Sequence, residues 1–281
     1  RIFHEQLEKC GVDYFDFYLI HAVNKERYTQ VQELKVIEQL EGYRAEGKIR
    51  KIGFSFHDDL TTFKKWVNLY DWDFVQIQLN YMDINHQQGI TGYNILTEKG
   101  IPVIVMEPVK GGSLAKFNPE VEKLLKEKDQ EASIASWAFR WVGTLPNVST
   151  ILSGMSTMEQ VEDNIKTFSN FIPLNQDELK LMSEVRTKIL ALSKVECTSC
   201  NYCMPCPHGV DIPGNFRIFN HHSMYKNDGY TKWAYSNLEK KDASGNVCID
   251  CGECLPKCPQ QIEIPTDLEN MQKYLKDNGL V

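Results

Sequence analysis

Short apolar runs alternate with amphipathic segments between residues 16 and 168. The runs are six or seven residues long and rich in Val, Ile, Leu and Phe, as buried parallel strands are. They lie at residues 16–21, 49–55, 74–80, 101–107 and 148–154, and helical patterns separate them at 29–46, 58–70, 87–99, 129–142 and 157–167. This repeated strand–helix order predicts a parallel sheet covered by helices, and hence an α/β domain.

A further helical pattern at 175–194 precedes a second region that contains an internal repeat. The motif Cys-Pro-x-x-Val-Asp-Ile-Pro at 206–213 recurs as Cys-Pro-x-x-Ile-Glu-Ile-Pro at 258–265, and cysteines precede both copies. Between the two copies the pattern predicts helix, loop and helix. We therefore expect an α/β domain at 1–174, a linking helix at 175–194 and a mainly helical domain at 195–281.

Composition and charge argue against some classes of binding partner. The 281 residues carry a formal net charge of −7, which does not favour nucleic acid, because phosphate binding needs a basic face. No run approaches the roughly 18 apolar residues of a membrane helix, and no signal-peptide pattern opens the chain at Arg1. Together with thiols spaced as metal ligands, these features predict a cytoplasmic protein without nucleic-acid or membrane partners.

Eight cysteines form two sets of four within the second region. They are Cys197, Cys200, Cys203 and Cys206 in the first set, and Cys248, Cys251, Cys254 and Cys258 in the second. The second set has the Cys-x2-Cys-x2-Cys-x3-Cys-Pro spacing of bacterial ferredoxins, and the first set is one residue shorter before its last cysteine. The spacing predicts two [4Fe–4S] clusters.

The alternatives are structural zinc and disulfides. Zinc suits pairs of Cys-x2-Cys, but it has no use for three such steps in series. The spacing leaves open which cluster each fourth cysteine serves, and the shorter first set leaves open the number of irons bound there.

The first domain resembles the aldo/keto reductase family in five consecutive motifs. They are "LEKCGVDYFDFYLIH" (7–21), "EGKIRKIGFS" (46–55), "VQIQLNY" (75–81), "IPVIVMEP" (101–108) and "ILSGMSTMEQVEDNI" (151–165). With the cysteine repeat, the whole chain is similar to the subgroup that carries a C-terminal two-cluster domain. The resemblance implies a partial (β/α)8 barrel, with an active site at the carboxyl ends of its strands, followed by a small helical ferredoxin-like domain.

The resemblance also implies roles for residues at these strand ends. His21 matches the catalytic histidine, which orients a substrate carbonyl and stabilises developing negative charge. Ser55 and Gln76 match the pair that holds a nicotinamide carboxamide, although Phe56 replaces the usual Asn after the serine. Met106 stands where many members stack a tyrosine on the nicotinamide ring.

The last motif corresponds to the adenosine end of a dinucleotide site. Gly154, Ser156, Gln160 and Asn164 fall where the family binds that end, at a loop that leads into a helix. Gly154 and Gln160 replace the Lys and Arg that bind the NADP 2′-phosphate in better-known members, so the sequence shows no basis for a strong NADP preference. NAD, NADP and a flavin all stay open.

The family's Asp, Tyr and Lys, which supply and tune the proton donor, precede the part that matches here. Because a (β/α)8 barrel takes roughly 250 residues, we expect its three N-terminal strands to be missing from this chain. The resulting hypothesis is an iron–sulfur oxidoreductase that reduces a small carbonyl-type substrate. Its clusters would exchange electrons with a nicotinamide or flavin in the barrel and with a ferredoxin or flavodoxin. The alternative is an electron-transfer or interaction module on a catalytically degenerate barrel.

Overall fold

The structure, a computed structural model, describes residues 1–281 and divides them into two compact units. The first unit comprises Arg1–Gly111 and Ala135–Leu179, and the second comprises Gly112–Ile134 and Lys180–Val281. Residues 112–134 thus belong with the cysteine-bearing unit, whereas the sequence pattern placed them in the α/β domain. Within this unit, the Ser113 hydroxyl lies 3.1 Å from the His221 Nε2 atom and accepts a hydrogen bond from the Asn227 side chain.

Five parallel strands form the sheet of the first unit, in the order β1-β2-β3-β4-β5. Their bounds are β1 Phe15–Val23, β2 Ile49–Phe56, β3 Phe74–Gln78, β4 Val103–Met106 and β5 Val148–Ile151. All five predicted strands are confirmed. Each strand pairs with the next one along the chain, which is the order of a barrel arc and differs from that of a doubly wound sheet.

Helices precede, connect and follow these strands. They are α1 Ile2–Cys10, α2 Lys25–Glu33, α3 Val36–Ala45, α4 Leu60–Val67, α5 Gly89–Glu98, α7 Ile134–Gly143 and α8 Met158–Ser169. The single helix predicted at 29–46 is two helices, because Lys35 adopts a left-handed conformation with φ of 51° between them. Its start also moves to Lys25, because the Asn24 side chain accepts a hydrogen bond from the Arg27 amide and caps α2.

The two faces of the sheet differ in chemistry. Phe54 and Phe56 of β2 point to the helices, where Phe56 packs edge to face on Phe63 and Phe54 packs tilted against Phe63 and Trp66. Alternate residues of β2 and β3, which include Ser55 and Gln76, point to the other face. The carboxyl ends of the strands therefore carry the polar residues that the sequence assigned to a site.

The second unit is mainly helical. Its helices are α6 Pro119–Lys128, α10 Ile212–Tyr225, α11 Asp228–Glu239 and α12 Ile264–Asp277, with short 3-10 turns at Gly245–Val247 and Leu255–Lys257. The predicted helix at 175–194 is α9, Gln176–Leu190, which the division between the units crosses. No helix in the chain combines the length and the apolar character needed to cross a membrane.

Candidate functional site

The eight cysteines of the second unit gather around two cavities. Cavity A is lined by Cys197, Cys200, Cys203 and Cys258 among other residues. Cavity B is lined by Cys248, Cys251, Cys254 and Cys206, and Cys203 also reaches it. Three thiols of one repeat are thus joined by the fourth thiol of the other repeat, an arrangement that the sequence spacing left open.

The repeat is also visible in the walls of the cavities. The start of α10 lines cavity A with Ile212, Pro213 and Phe216, and the start of α12 lines cavity B with Ile264, Pro265 and Leu268. A helix N-terminus carries partial positive charge from its unpaired amides, so it favours an anionic group in the cavity beside it. Each cavity therefore combines thiols with a dipole suited to the net negative charge of a thiolate-bound cluster.

Burial raises the pKa of two of the thiols. It raises the pKa of Cys203 to about 11, and the nearby thiols of Cys197, Cys200 and Cys254 act in the same direction. Burial also raises the pKa of Cys254, and the thiols of Cys248, Cys251 and Cys206 add to the effect. Bound iron would have to displace these protons, because the thiolate is the form that binds metal.

The positions of the thiols indicate which kind of metal group each cavity could hold. No three His, Cys, Asp or Glu side chains are placed to hold one metal ion together. The cysteines instead surround each cavity, which is what a cubane requires, because each of its four irons takes one cysteine. Four thiols, an apolar lining and a helix N-terminus make both cavities a fit for a [4Fe–4S] cluster.

In the first unit, His21 lies exposed near the carboxyl end of β1. Its backbone carbonyl and that of Ala22 accept hydrogen bonds from the Arg27 guanidinium, at 2.6 and 3.0 Å. His57 follows β2 nearby: partial burial lowers its pKa, His21 lowers it further, and Glu107 partly offsets both. These three titratable side chains therefore share one region of the carboxyl edge.

Ser55 lies buried near the carboxyl end of β2. Its side chain is fully buried, and its hydroxyl accepts a hydrogen bond from the Ala22 amide at 2.7 Å. This hydroxyl thus holds the end of β1 against β2. The register pairs Ser55 with Gln76, so the two predicted carboxamide contacts do lie side by side.

Gln76 and Met106 lie next to each other on β3 and β4. The Gln76 Nε2 atom lies 3.5 Å from the Met106 Sδ atom, and both side chains are partly exposed. The amide and thioether predicted to contact a nicotinamide are therefore brought together on one face of the sheet.

Of the four residues of the last motif, Gly154 and Ser156 precede α8, and Gln160 and Asn164 lie within it. The Thr157 hydroxyl caps the helix by accepting from the Gln160 amide, and the Gln160 Oε1 atom accepts from the Ser156 amide at 2.7 Å. Asn164 donates to the Ser153 hydroxyl at 2.9 Å, while Gly154 borders open space. The Gln160 side chain thus accepts a hydrogen bond from the Ser156 amide, as in a capping box, and a phosphate would have to replace it to bind that amide.

One buried ion pair at the strand ends was not predicted from the sequence. Lys110 Nζ lies 2.7 Å from both carboxylate oxygens of Asp83, which also accepts from Gln78 and Asn80. Burial raises the pKa of the Asp83 carboxyl, but the Lys110 charge and these hydrogen bonds outweigh burial and lower it overall. The sequence could have indicated this ion pair, because Asp83 and Lys110 follow the ends of adjacent strands, and parallel strands bring such residues together.

Comparisons with known proteins agree with this architecture. The family model described as "Aldo/keto reductase family" matches residues 1–187, and that described as "4Fe-4S dicluster domain" matches residues 196–263. The NADH-specific methylglyoxal reductase of Escherichia coli is 24% identical over 206 residues, which cover 64% of this chain and 61% of that protein. L-galactose dehydrogenase of Arabidopsis thaliana is 26% identical over 196 residues, covering 64% of this chain and 60% of that protein.

Solved structures show the same fold. Aldo-keto reductase AKR11C1 from Bacillus halodurans, in its holo form, has a TM-score of 0.54 at 21% identity, over 66% of this chain and 63% of that one. An aldo-keto reductase from Klebsiella pneumoniae in complex with NADPH has a TM-score of 0.52 at 20% identity, with the same two coverages. The chain thus spans about three fifths of the length of the curated relatives it matches. It belongs to the aldo/keto reductase family and carries a 4Fe-4S dicluster domain after the family's α/β unit.

Proposed function

We propose that this protein is an iron–sulfur oxidoreductase that reduces a small carbonyl substrate. The observation that carries the proposal is the grouping of cysteines around cavities A and B, in a chain of the aldo/keto reductase family. Hydride transfer to a carbonyl needs no iron, so two clusters have a purpose only where electrons arrive or leave singly.

The eight cysteines are the proposed cluster ligands, four for each cavity, with Cys206 and Cys258 exchanged between the repeats. A [4Fe–4S] cluster, when bound, supplies one-electron transfer. The chain's own contribution is to hold the thiols and to surround them with Ile212, Ile264 and other apolar side chains from the first turns of α10 and α12. A ferredoxin or flavodoxin is the proposed electron partner.

In the first unit, His21 is the proposed catalytic residue. Its exposed imidazole at the end of β1 can donate a hydrogen bond to a carbonyl oxygen and favour the negative charge that develops there. Gln76 and Met106 are proposed to contact the nicotinamide, and Gly154, Ser156, Gln160 and Asn164 the adenosine end of the cofactor. We propose NADH as that cofactor, because Gly154 and Gln160 offer no cation to a 2′-phosphate, and because one relative is an NADH-specific reductase.

The test uses the full-length protein, prepared anaerobically. We expect iron and acid-labile sulfide in equal amounts, and NADH-dependent reduction of methylglyoxal, the substrate named for the Escherichia coli relative. The His21→Ala variant should lose turnover by orders of magnitude and keep its iron. Zinc without labile sulfide would overturn the redox role of the clusters, and full turnover in His21→Ala would remove His21 from the reaction.

One observation favours the alternative, an electron-transfer or interaction module on a catalytically degenerate sheet. The Ser55 hydroxyl already accepts from the Ala22 amide and has no exposed surface, so a carboxamide would have to compete for it. Calorimetric titration with NADH decides between the two functions. Iron-loaded protein that accepts electrons from reduced ferredoxin but binds neither NADH nor a flavin would support the alternative.

A further inference from the structure

We infer that two asparagines of α10, Asn215 and Asn220, are positioning residues that each fix the start of one cysteine loop. Asn220 holds the chain just before Cys197, and Asn215 holds the chain just before Cys248. The inference rests on the proposed function in one respect, namely that the loops bind clusters.

Asn220 binds the chain before the first loop through both ends of its amide. Its Oδ1 atom accepts from the Lys194 and Val195 amides at 2.9 and 3.0 Å, and its Nδ2 atom donates to the Val195 carbonyl at 2.7 Å. Val195 is buried and lies two residues before Cys197. This side chain therefore takes the place of a neighbouring strand for a segment that is neither helix nor strand.

Asn215 does the same for the second loop from another side of the helix. Its Oδ1 atom accepts from the Gly245 amide at 2.9 Å, and its Nδ2 atom donates to the carbonyls of Ala243 and Asp211 at 3.0 and 2.8 Å. The Gly245 carbonyl in turn accepts from the Cys248 amide at 3.2 Å. Asn215 is thus two hydrogen bonds away from the first cysteine of its loop.

Packing alone does not explain why asparagine occupies these two buried positions. Almost every side chain of α10 is buried, and Asn215 has no exposed surface. A buried amide costs free energy unless its hydrogen bonds are made, so an apolar residue would serve packing better. Each asparagine makes three hydrogen bonds, and all but one of these six go to the segments that lead into the loops.

One helix therefore carries both contacts. The two asparagines are five residues apart, or about 140° around the helix axis, so they face different sides. The first loop, residues 197–206, contains neither helix nor strand, and no ladder of backbone hydrogen bonds fixes where it starts. Because the starts of both loops are bound to α10, the distance between the thiols of the two repeats is fixed. The exchange of Cys206 and Cys258 between the cavities requires such a fixed distance.

The experiment compares Asn220→Ala and Asn215→Ala in the whole chain, with Ser223→Ala as the matched control. Ser223 is also buried on α10, but its hydroxyl bonds the Phe219 carbonyl of its own helix. Cys200→Ala and Cys251→Ala provide reference electron paramagnetic resonance spectra in which one cluster is missing. Release of iron to a chelator is then followed by the loss of each cluster's signal.

Asn220→Ala should release the cluster of cavity A about tenfold faster or more, and Asn215→Ala that of cavity B, because each loses buried hydrogen bonds. In each asparagine variant, the other cluster should be released at the rate of the unaltered protein. In Ser223→Ala, both clusters should be released at that rate. Equal release of both clusters, release of the opposite one, or no change overturns the inference.

Folding of the variants is checked by far-ultraviolet circular dichroism. Where an alanine variant does not fold, Asn→Asp at the same position replaces it, since it keeps the shape and the acceptor oxygen, exchanges the donor for a second acceptor and adds an ionisable group. Failure of both variants to fold assigns the residue to general packing and overturns the inference. Absence of iron from the unaltered protein instead overturns the proposed function, and the inference with it.

Discussion

At the scale of single residues, the negative charge of Asp83 at the strand ends is balanced by the positive charge of Lys110. Asp83 is a largely buried carboxylate that depends on Lys110, since the side chains are only 12% and 27% exposed. Because its pKa is lowered in the folded protein, the pair stabilises the fold above the ordinary pKa of an aspartate, and that contribution is lost as the pH falls through the folded value.

Lys110→Met tests this pair. We expect the free energy of unfolding to fall by about 1–3 kcal/mol at pH 7.5, because a buried carboxylate is left without its cation. The loss should shrink toward pH 5, since burial raises the pKa of the unpaired carboxyl, which then takes up a proton. Urea unfolding at several pH values measures both effects. Lys116→Met, at an exposed position, is the control, and a loss independent of pH would contradict the account.

Gln160 offers a second test at this scale, on cofactor choice. Gln160→Arg places a cation at the start of α8, so the affinity for NADPH should rise about tenfold relative to NADH, or about 1.4 kcal/mol. Fluorescence titration with both nucleotides measures the ratio. Asn170→Arg adds the same charge at the other end of α8 and should leave the ratio unchanged. A similar shift in both variants would show a general charge effect and not a 2′-phosphate contact.

At the scale of elements, the sequence predicted most of what its local pattern encodes. All five strands follow from their apolar runs, whereas the helix at 29–46 was wrongly taken as continuous. The break at Lys35 could not be predicted, because it depends on a left-handed conformation that the apolar spacing does not specify. The exchange of Cys206 and Cys258 was equally inaccessible, because spacing within one repeat carries no information about the fold of the other.

Two glycines make a test of how closely elements pack. A Cβ atom on Gly53 of β2 would lie 2.5 Å from the Phe74 carbonyl oxygen, so Gly53→Ala should lower the free energy of unfolding by about 1–3 kcal/mol. Gly42, inside α3, has open space around it, and Gly42→Ala should raise the free energy by about 0.5–1 kcal/mol. Thermal unfolding of both variants measures the two shifts. Shifts of the same sign would contradict the close approach of β2 and β3.

At the scale of the whole molecule, the exchange of cysteines makes the two repeats interdependent. Neither repeat could complete a four-thiol cavity alone, because cavity A needs Cys258 from the second repeat and cavity B needs Cys206 from the first. Cys203, Ile212 and Ile264 line both cavities, so the two sites share a wall. Residues of both repeats therefore line each of the two cavities.

Paired ligand variants separate exchanged from unexchanged ligation. In the exchanged arrangement Cys206 and Cys251 serve the same cluster, so Cys206→Ala/Cys251→Ala should lose about half of the iron, while Cys200→Ala/Cys206→Ala should lose nearly all of it. Ligation within each repeat would reverse these two results. Iron analysis and the spectra of the reduced proteins measure the difference, and the single variants show whether each change removes one cluster. Because every double variant lacks two thiols, the comparison is matched in the number of ligands and differs only in how they are shared.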